Sequence, residues 1–423
     1  MKIDFHFSKP LLYTETCVGG KQLTILTKES YKPLTERSAV TLAIKLRIFQ
    51  EGSVLQCKEI GDGNLNLVFH VTNQDGKGII IKQALPYAKV VGESWPLTLK
   101  RATIEKNALL QSARICPDFV PKVYYSDENL AITVMEDLSH LQIVRTGLIN
   151  GNRYPLLAEH IGEYLAKTLF STSDFGLNQQ DKKILQQNFV NPELCKITED
   201  LIFTDPFYPS ETNNFEEDLR EEVENLWEDS KLQLDVASLK YSFLTRTECL
   251  LHGDLHTGSI FASRTETKVI DPEFAFFGPF GFDIGQFIAN LLLNTISKDE
   301  KEVKESLLRD IELTWNTFST KFEELWKTSS VEHYTNTEGY LSFVLKQIFE
   351  DSVGFAGCEL IRRTIGLAHV ADLDGIEIKS DRILAKKAAI QIGKFFIVNS
   401  RNIDSTKQLI DHFLHLESNV KGV

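Results

Sequence analysis

Between residues 55 and 135 the apolar positions come in short runs, and further along the chain they recur at helical spacing. Leu55-Gln56-Cys57-Lys58-Glu59-Ile60, Leu67-Val68-Phe69-His70-Val71 and Gly78-Ile79-Ile80-Ile81-Lys82 read as strands, with Asn73-Gln74-Asp75-Gly76 suited to reverse the chain between the last two. Lys122-Val123-Tyr124-Tyr125 and Leu130-Ala131-Ile132-Thr133-Val134-Met135 extend the set. Two stretches here are helical, 35–49 with Val40, Ala43, Ile44 and Leu46 on its apolar face, and 97–113, which carries Glu105. The strands predict an antiparallel sheet supporting one helix.

Beyond Glu136-Asp137-Leu138 the pattern predicts helices at 157–170, 215–228 and 236–244, an almost strand-like interruption at 250–275, and helices again at 283–293 and 303–326. Separate helices at 343–349, 360–370, 384–396 and 404–416 complete the reading. At 423 residues the chain exceeds what one hydrophobic core usually serves. An α+β, bilobal architecture follows, with an antiparallel-sheet lobe over 1–136 and a mainly helical lobe over 137–423.

Composition narrows the class. The chain carries 46 basic and 59 acidic residues, a formal charge of -13, with no basic track for a nucleic-acid backbone, so no nucleic-acid partner is expected. No apolar run reaches the roughly 20 residues that cross a bilayer, and the start MKIDFHFSKP lacks a signal core, so a cytoplasmic location and no membrane partner are expected. The six cysteines show no C-x-x-C pair and read as reduced and mostly structural.

Two carboxylate motifs carry the chemistry. Leu251-His252-Gly253-Asp254-Leu255-His256 is followed, after a turn and a short strand, by Val269-Ile270-Asp271-Pro272-Glu273. Phosphoryl transfer needs an acceptor oxygen in line with the terminal phosphorus and cations against the phosphate oxygens. In that scheme Asp254 orients the accepting hydroxyl, and Asp271 and Glu273, alternating along an extended segment so that both project to one side, hold magnesium. His252 is expected to pack or hydrogen-bond within the loop, with His256 more ambiguous. Lys82 ends an apolar strand and can reach phosphates, with Glu105 a candidate partner. Arg362 and Arg363 sit beside Leu360, Ile361 and Ile365, so at least one guanidinium approaches an interior or cleft. Consecutive helical positions point about 100° apart, so the two arginines are not expected to do the same job.

The chain resembles the 5-methylthioribose kinases, a family within the superfamily that shares the protein-kinase and aminoglycoside-phosphotransferase fold. The likeness runs over nearly the whole length. It is carried by 61–69 (GDGNLNLVF), 91–98 (VGESWPLT), 134–139 (VMEDLS), 251–259 (LHGDLHTGS) and 271–279 (DPEFAFFGP). The resemblance implies a protein-kinase-like fold with a nucleotide-binding lobe at 1–136 and a catalytic and substrate-binding lobe at 137–423. It implies ATP- and Mg2+-dependent phosphorylation of 5-methylthioribose on its 1-hydroxyl, in methionine salvage, by a homodimer.

By the same likeness Asn66 and Lys82 contact the ATP phosphates, Glu136, Asp137 and Leu138 form the adenine-facing hinge, and Asp254 is the catalytic and substrate residue. Asp271 and Glu273, with Pro272 between them, match the metal pair, and Arg362-Arg363 the arginines that reach the sugar and the transferring phosphoryl group. Trp95 reads as core or as sugar-pocket lining, and Asp283 as a loop anchor or a helix N-cap. Two departures separate the chain from protein kinases. Ser259 stands where a magnesium-binding Asn is usual, and Asp271-Pro272-Glu273 replaces Asp-Phe-Gly. The competing reading is a kinase for another small hydroxylated metabolite, such as homoserine, choline, an aminoglycoside or another sugar.

Overall fold

A computed structural model describes residues 31–60, 65–88 and 92–422. The glycine-rich turn at 61–64, Cys17 and Val91 lie outside the described residues, as do the side chains of 92–95, Trp95 included.

The α+β, two-lobed architecture expected from the sequence is the one observed. Among the described residues the main sheet has five strands, β1 (Leu55–Glu59), β2 (Asn66–Asn73), β3 (Gly78–Ala84), β6 (Val123–Asp127) and β7 (Ile132–Glu136). A small hairpin of β4 (Tyr87–Ala88) and β5 (Gly92–Pro96) stands apart from it. The strand order is β1-β2-β3-β7-β6, antiparallel throughout. Alternation sets the two faces. Leu67, Phe69, Val71, Ile79 and Ile81 pack with Ala39, Leu42 and Ala43 of the Glu36–Lys45 helix, which Thr35 caps through Ser38. Lys82, between Ile81 and Gln83, therefore points to the opposite face, where the Lys100–Ile115 helix lies. The sheet thus carries a helix on each face, one more than the strand pattern implied.

The chain leaves the sheet through Asp137 and Leu138 and becomes helical. Two buried helices form the centre, Gly281–Ile296, in which all residues are buried, and Tyr340–Ile365, packed against it. The second corrects the sequence reading, which divides this region into two helices. It is one continuous helix of 26 residues. Its glycines are packing sites rather than breaks: a Cβ at Gly357 would lie 2.6 Å from the carbonyl oxygen of Gly393 on the neighbouring Lys379–Asn399 helix. The backbones approach so closely that only glycine fits. Among the described residues no helix is long and apolar enough to cross a membrane.

Candidate active site

Two short antiparallel ladders bring the carboxylate motifs together. Cys249–Leu250 pairs with Phe277–Gly278, and Ile260–Ala262 with Thr267–Val269, so the loops 251–259 and 270–276 emerge side by side. Gly253, at φ 86°, makes the approach possible, since a Cβ there would lie 2.3 Å from the carbonyl oxygen of Phe274. The 251–259 loop is pinned from below. His252 N and Gly253 N donate to Asp283 at 2.7 and 3.0 Å, and Leu255 N donates to Gln286 Oε1 at 2.9 Å. Asp283 therefore acts as a loop anchor.

Asp254 lies on this loop with its side chain 25% exposed, so it is reachable from the cleft. Arg362 Nη2 and Arg363 Nη2 each lie 3.4 Å from its Oδ1, and His256 Nε2 lies 3.3 Å from Oδ2. The two arginines converge, against the expectation that neighbours on a helix diverge. Glu359, one turn earlier, explains it: Arg363 Nε donates to its Oε1 at 2.7 Å, and Arg362 Nε sits 2.9 Å from its Oε2. The second contact is ionic only, because neither Arg362 Nε nor Glu359 Oε2 has a hydrogen-bond partner.

Burial opposes ionisation of Asp254, but His256, then Arg363 and Arg362, hold its carboxyl well below the usual range. Burial also lowers His256, to about 4, against the pull of Asp254. The ring is thus neutral at physiological pH, and its hydrogen bond, not its charge, supports the carboxylate there. His256 Nδ1 accepts from Gly258 N at 3.0 Å, which leaves the proton on Nε2 facing Asp254. His252 spans the two loops as expected, between Ile270 O at 2.9 Å and Asp254 N at 3.3 Å. Ser259 Oγ donates to Asp254 O at 3.2 Å.

The second half of the site joins the sheet to the 270–276 loop. Lys82 Nζ donates to Glu105 Oε1 at 2.8 Å and also contacts Asp271 Oδ1. Burial would lower the Lys82 ammonium, yet Asp271, then Glu105 and Glu273, raise it above its ordinary value. Burial pushes the Glu105 carboxyl up, to about 7, although Lys82 pulls the other way.

Asp271 and Glu273 do not alternate along an extended segment, as the sequence pattern suggested. Asp271 takes a left-handed backbone, φ 68°, and the bend turns it to Lys82 while Glu273 points to Arg101. Asp tolerates this conformation better than bulkier residues do, through local hydrogen bonding of its short polar side chain. Asp271 remains 40% exposed, whereas Glu273 is nearly buried. Two hard carboxylates suit a magnesium ion that keeps water and phosphate oxygens in its other positions. Among the described residues no group of three or more His, Cys, Asp or Glu converges as an all-protein cation site.

Arg101 was not legible as a site residue. It is fully buried; Nη1 donates to Asn66 Oδ1 at 2.7 Å and Glu273 Oε2 at 3.1 Å, and Nη2 to Leu85 O at 2.8 Å and to Leu65 O. Its signal was the i,i+4 spacing from Glu105, which sets a cation and a carboxylate on one helix face toward the sheet. Glu359 was also missed, although it stands three and four residues before the arginine pair. Glu136 Oε2 accepts from Lys122 N, and Asp137 Oδ2 bonds His70 Nε2 at 2.8 Å, so these side chains fasten the strand end; Leu138 is buried beside them.

Residues 56–309 match the model of the family described as "Phosphotransferase enzyme family". The chain is 65% identical over 380 residues to the methylthioribose kinase of Geobacillus sp. (strain WCH70), covering 90% of this chain and 95% of that one. It is 63% identical over 396 residues to the methylthioribose kinase of Geobacillus thermodenitrificans (strain NG80-2), covering 93% and 100%. A solved choline kinase from Cryptosporidium parvum Iowa II aligns over 91% of this chain and 96% of its own, at 12% identity and a TM-score of 0.46.

Proposed function

Because this chain belongs to the phosphotransferase enzyme family and, within it, to the methylthioribose kinases, we propose that it transfers the terminal phosphoryl group of ATP to the 1-hydroxyl of 5-methylthioribose. The products are the sugar 1-phosphate and ADP, a step of methionine salvage. The observation that carries the reading is the identity of 65% to a methylthioribose kinase across 90% of the chain.

The division of the site supports transfer. Lys82, backed by Glu105, and Asn66 are the ATP-phosphate side, and the 136–138 hinge is the adenine side. Asp271 and Glu273, on either side of Pro272, hold Mg2+, which when bound offsets phosphate charge and aligns the transferring group. Asp254 orients the sugar hydroxyl. Its depressed carboxyl makes it a weak base, so it works by alignment and takes the proton late, as suits a loose phosphoryl-transfer transition state. Arg362 and Arg363 hold charge that develops on the transferring group. Sugar hydroxyls discriminate against analogues that leave buried partners unpaired, whereas the methylthio group adds roughly 1–3 kcal/mol.

We take the working form to be a homodimer, as the sequence resemblance implies, and the ATP requirement favours the cytoplasm. Light scattering across protein concentrations tests the dimer, and a persistent monomer rejects it. For the activity, the protein is offered ATP and magnesium with 5-methylthioribose, ribose, choline or homoserine, and products are assigned by NMR. Methylthioribose 1-phosphate is expected as the preferred product. Exclusive phosphorylation of another panel member by folded, ATP-binding protein rejects the substrate while leaving the kinase reading intact.

A further inference from the structure

Arg362 and Arg363 occupy consecutive positions on the Tyr340–Ile365 helix, where side chains leave the axis about 100° apart. Both guanidinium groups nevertheless lie 3.4 Å from the same oxygen, Oδ1 of Asp254. Both arginines lie within the last turn of this helix, which runs without interruption to Ile365. Two positions neighbour both arginines at i,i+3/i,i+4 spacing, 359 one turn earlier and 366 one turn later; 366 is the glycine that ends the helix, and Glu359 stands at i−3 from Arg362 and i−4 from Arg363. Its two oxygens are divided between them, Oε1 to Arg363 Nε at 2.7 Å and Oε2 beside Arg362 Nε at 2.9 Å.

Glu359 is 1% exposed and is itself held from the side. Asn290 Nδ2 lies 3.4 Å from Glu359 Oε1, and Asn290 Oδ1 accepts from Arg145 Nη2 at 2.7 Å. Asn290 belongs to the Gly281–Ile296 helix, whose Asp283 and Gln286 pin the 251–259 loop. One buried helix therefore fixes both the Asp254 loop and the carboxylate that gathers the arginines. Charges match: two guanidinium groups face two carboxylates, which makes their burial tolerable.

We infer that Glu359 is a positioning residue that draws Arg362 and Arg363 together onto Asp254 and so sets the cationic wall at the acceptor hydroxyl. This rests on the proposed function, since the wall has a use only where a phosphoryl group arrives. Glu359 is buried behind the two arginines, and its effect passes through them. Glu359→Gln keeps the shape but loses the charge and turns an amide N–H toward a guanidinium N–H, so one arginine is released. Glu359→Asp keeps the charge with a reach too short to serve both.

The test is steady-state transfer by full-length wild type, E359Q and E359D, normalised to the folded fraction from circular dichroism. E359Q is expected to lower kcat about 10- to 100-fold, with the KM values for sugar and ATP within about threefold of wild type and E359D between the two. A purely structural role predicts instead a lower Tm with wild-type kcat per folded molecule, and folded E359Q with kcat within about twofold of wild type overturns the inference. If E359Q does not fold, E359D decides: a kcat loss of about fivefold or more supports the inference, and a smaller loss overturns it. Wild type that phosphorylates another panel member overturns the substrate assignment alone, and the same comparison is then made on that acceptor.

Discussion

Arg101 and Glu273 stand 172 residues apart in the sequence and meet at 3.1 Å, so the helix beside the sheet grips the second carboxylate of the Asp271-Pro272-Glu273 turn. The same Arg101 nitrogen takes Asn66 Oδ1 at 2.7 Å, and because arginine only donates, Asn66 must turn Nδ2 toward Glu273 Oε2, 3.4 Å away. Arg101 thus decides how the proposed phosphate contact and the proposed metal ligand face each other. Lysine cannot reproduce a fork with four acceptors. Arg101→Lys should raise the ATP–magnesium half-saturation by about tenfold while the sugar KM barely moves, and Arg101→Met should cost about 3–5 kcal/mol of stability, as expected when one partner of a buried pair is lost. Titration calorimetry with ATP and chemical denaturation check the two effects. Unchanged nucleotide saturation in R101K defeats the assignment.

Asp254→Asn should largely abolish transfer while ATP binding remains. The carboxylate sits with Arg362, Arg363 and His256, apart from the Lys82–Glu105 pair proposed to face the ATP phosphates. Transfer and ATP titration are measured on the same preparation. Near-wild-type turnover would remove Asp254 from the acceptor role.

Asp271→Ala should eliminate nearly all magnesium-dependent transfer, whereas Glu273→Gln should keep a reduced fraction, since an amide oxygen coordinates weakly without the carboxylate charge. A magnesium series separates weaker metal affinity from lost chemistry. Identical magnesium profiles in wild type and both variants would move the metal site elsewhere.

Asp310, on the Lys301–Ser329 helix, has its carboxyl pushed up to about 6 by burial, against the pull of Arg153 and then Arg309. The folded value lies above the unfolded one, so the stability contributed by the protonated group is complete below about pH 4 and is lost as pH rises through the folded value. Asp310→Asn stays neutral throughout. Its Tm relative to wild type should therefore climb between about pH 4 and pH 7, by the equivalent of about 3 kcal/mol at most. Thermal unfolding at several pH values provides the check, and a pH-independent difference would count against the burial penalty.

What the sequence determined by itself was whatever depends on near neighbours. Alternation around Ile79 and Ile81 sets the side of the sheet on which Lys82 lies, and Asn73 to Gly76 marks the turn before it. The spacing of Asp254 from Asp271 and Glu273 allows only a short ladder between them, so the two carboxylate loops emerge together. Such constraints act over a few residues, where chain geometry leaves little choice. The tertiary structure decided what depends on partners far along the chain. Arg101 resembles the neighbouring Lys100 and Lys106 in charge, its i,i+4 spacing from Glu105 is the one local difference, and burial against Asn66 and Glu273 decides its role. The 343–349 segment and residues 360–365 belong to one helix that stops at Gly366, short of the expected 370, and Gly357 inside it meets Gly393, a close backbone contact that local propensity reads as a break. Arg362 and Arg363 diverge by helix geometry and converge through Glu359 and Asp254, because unpaired charges are costly to bury and the nearest buried counter-charges lie on one side of both.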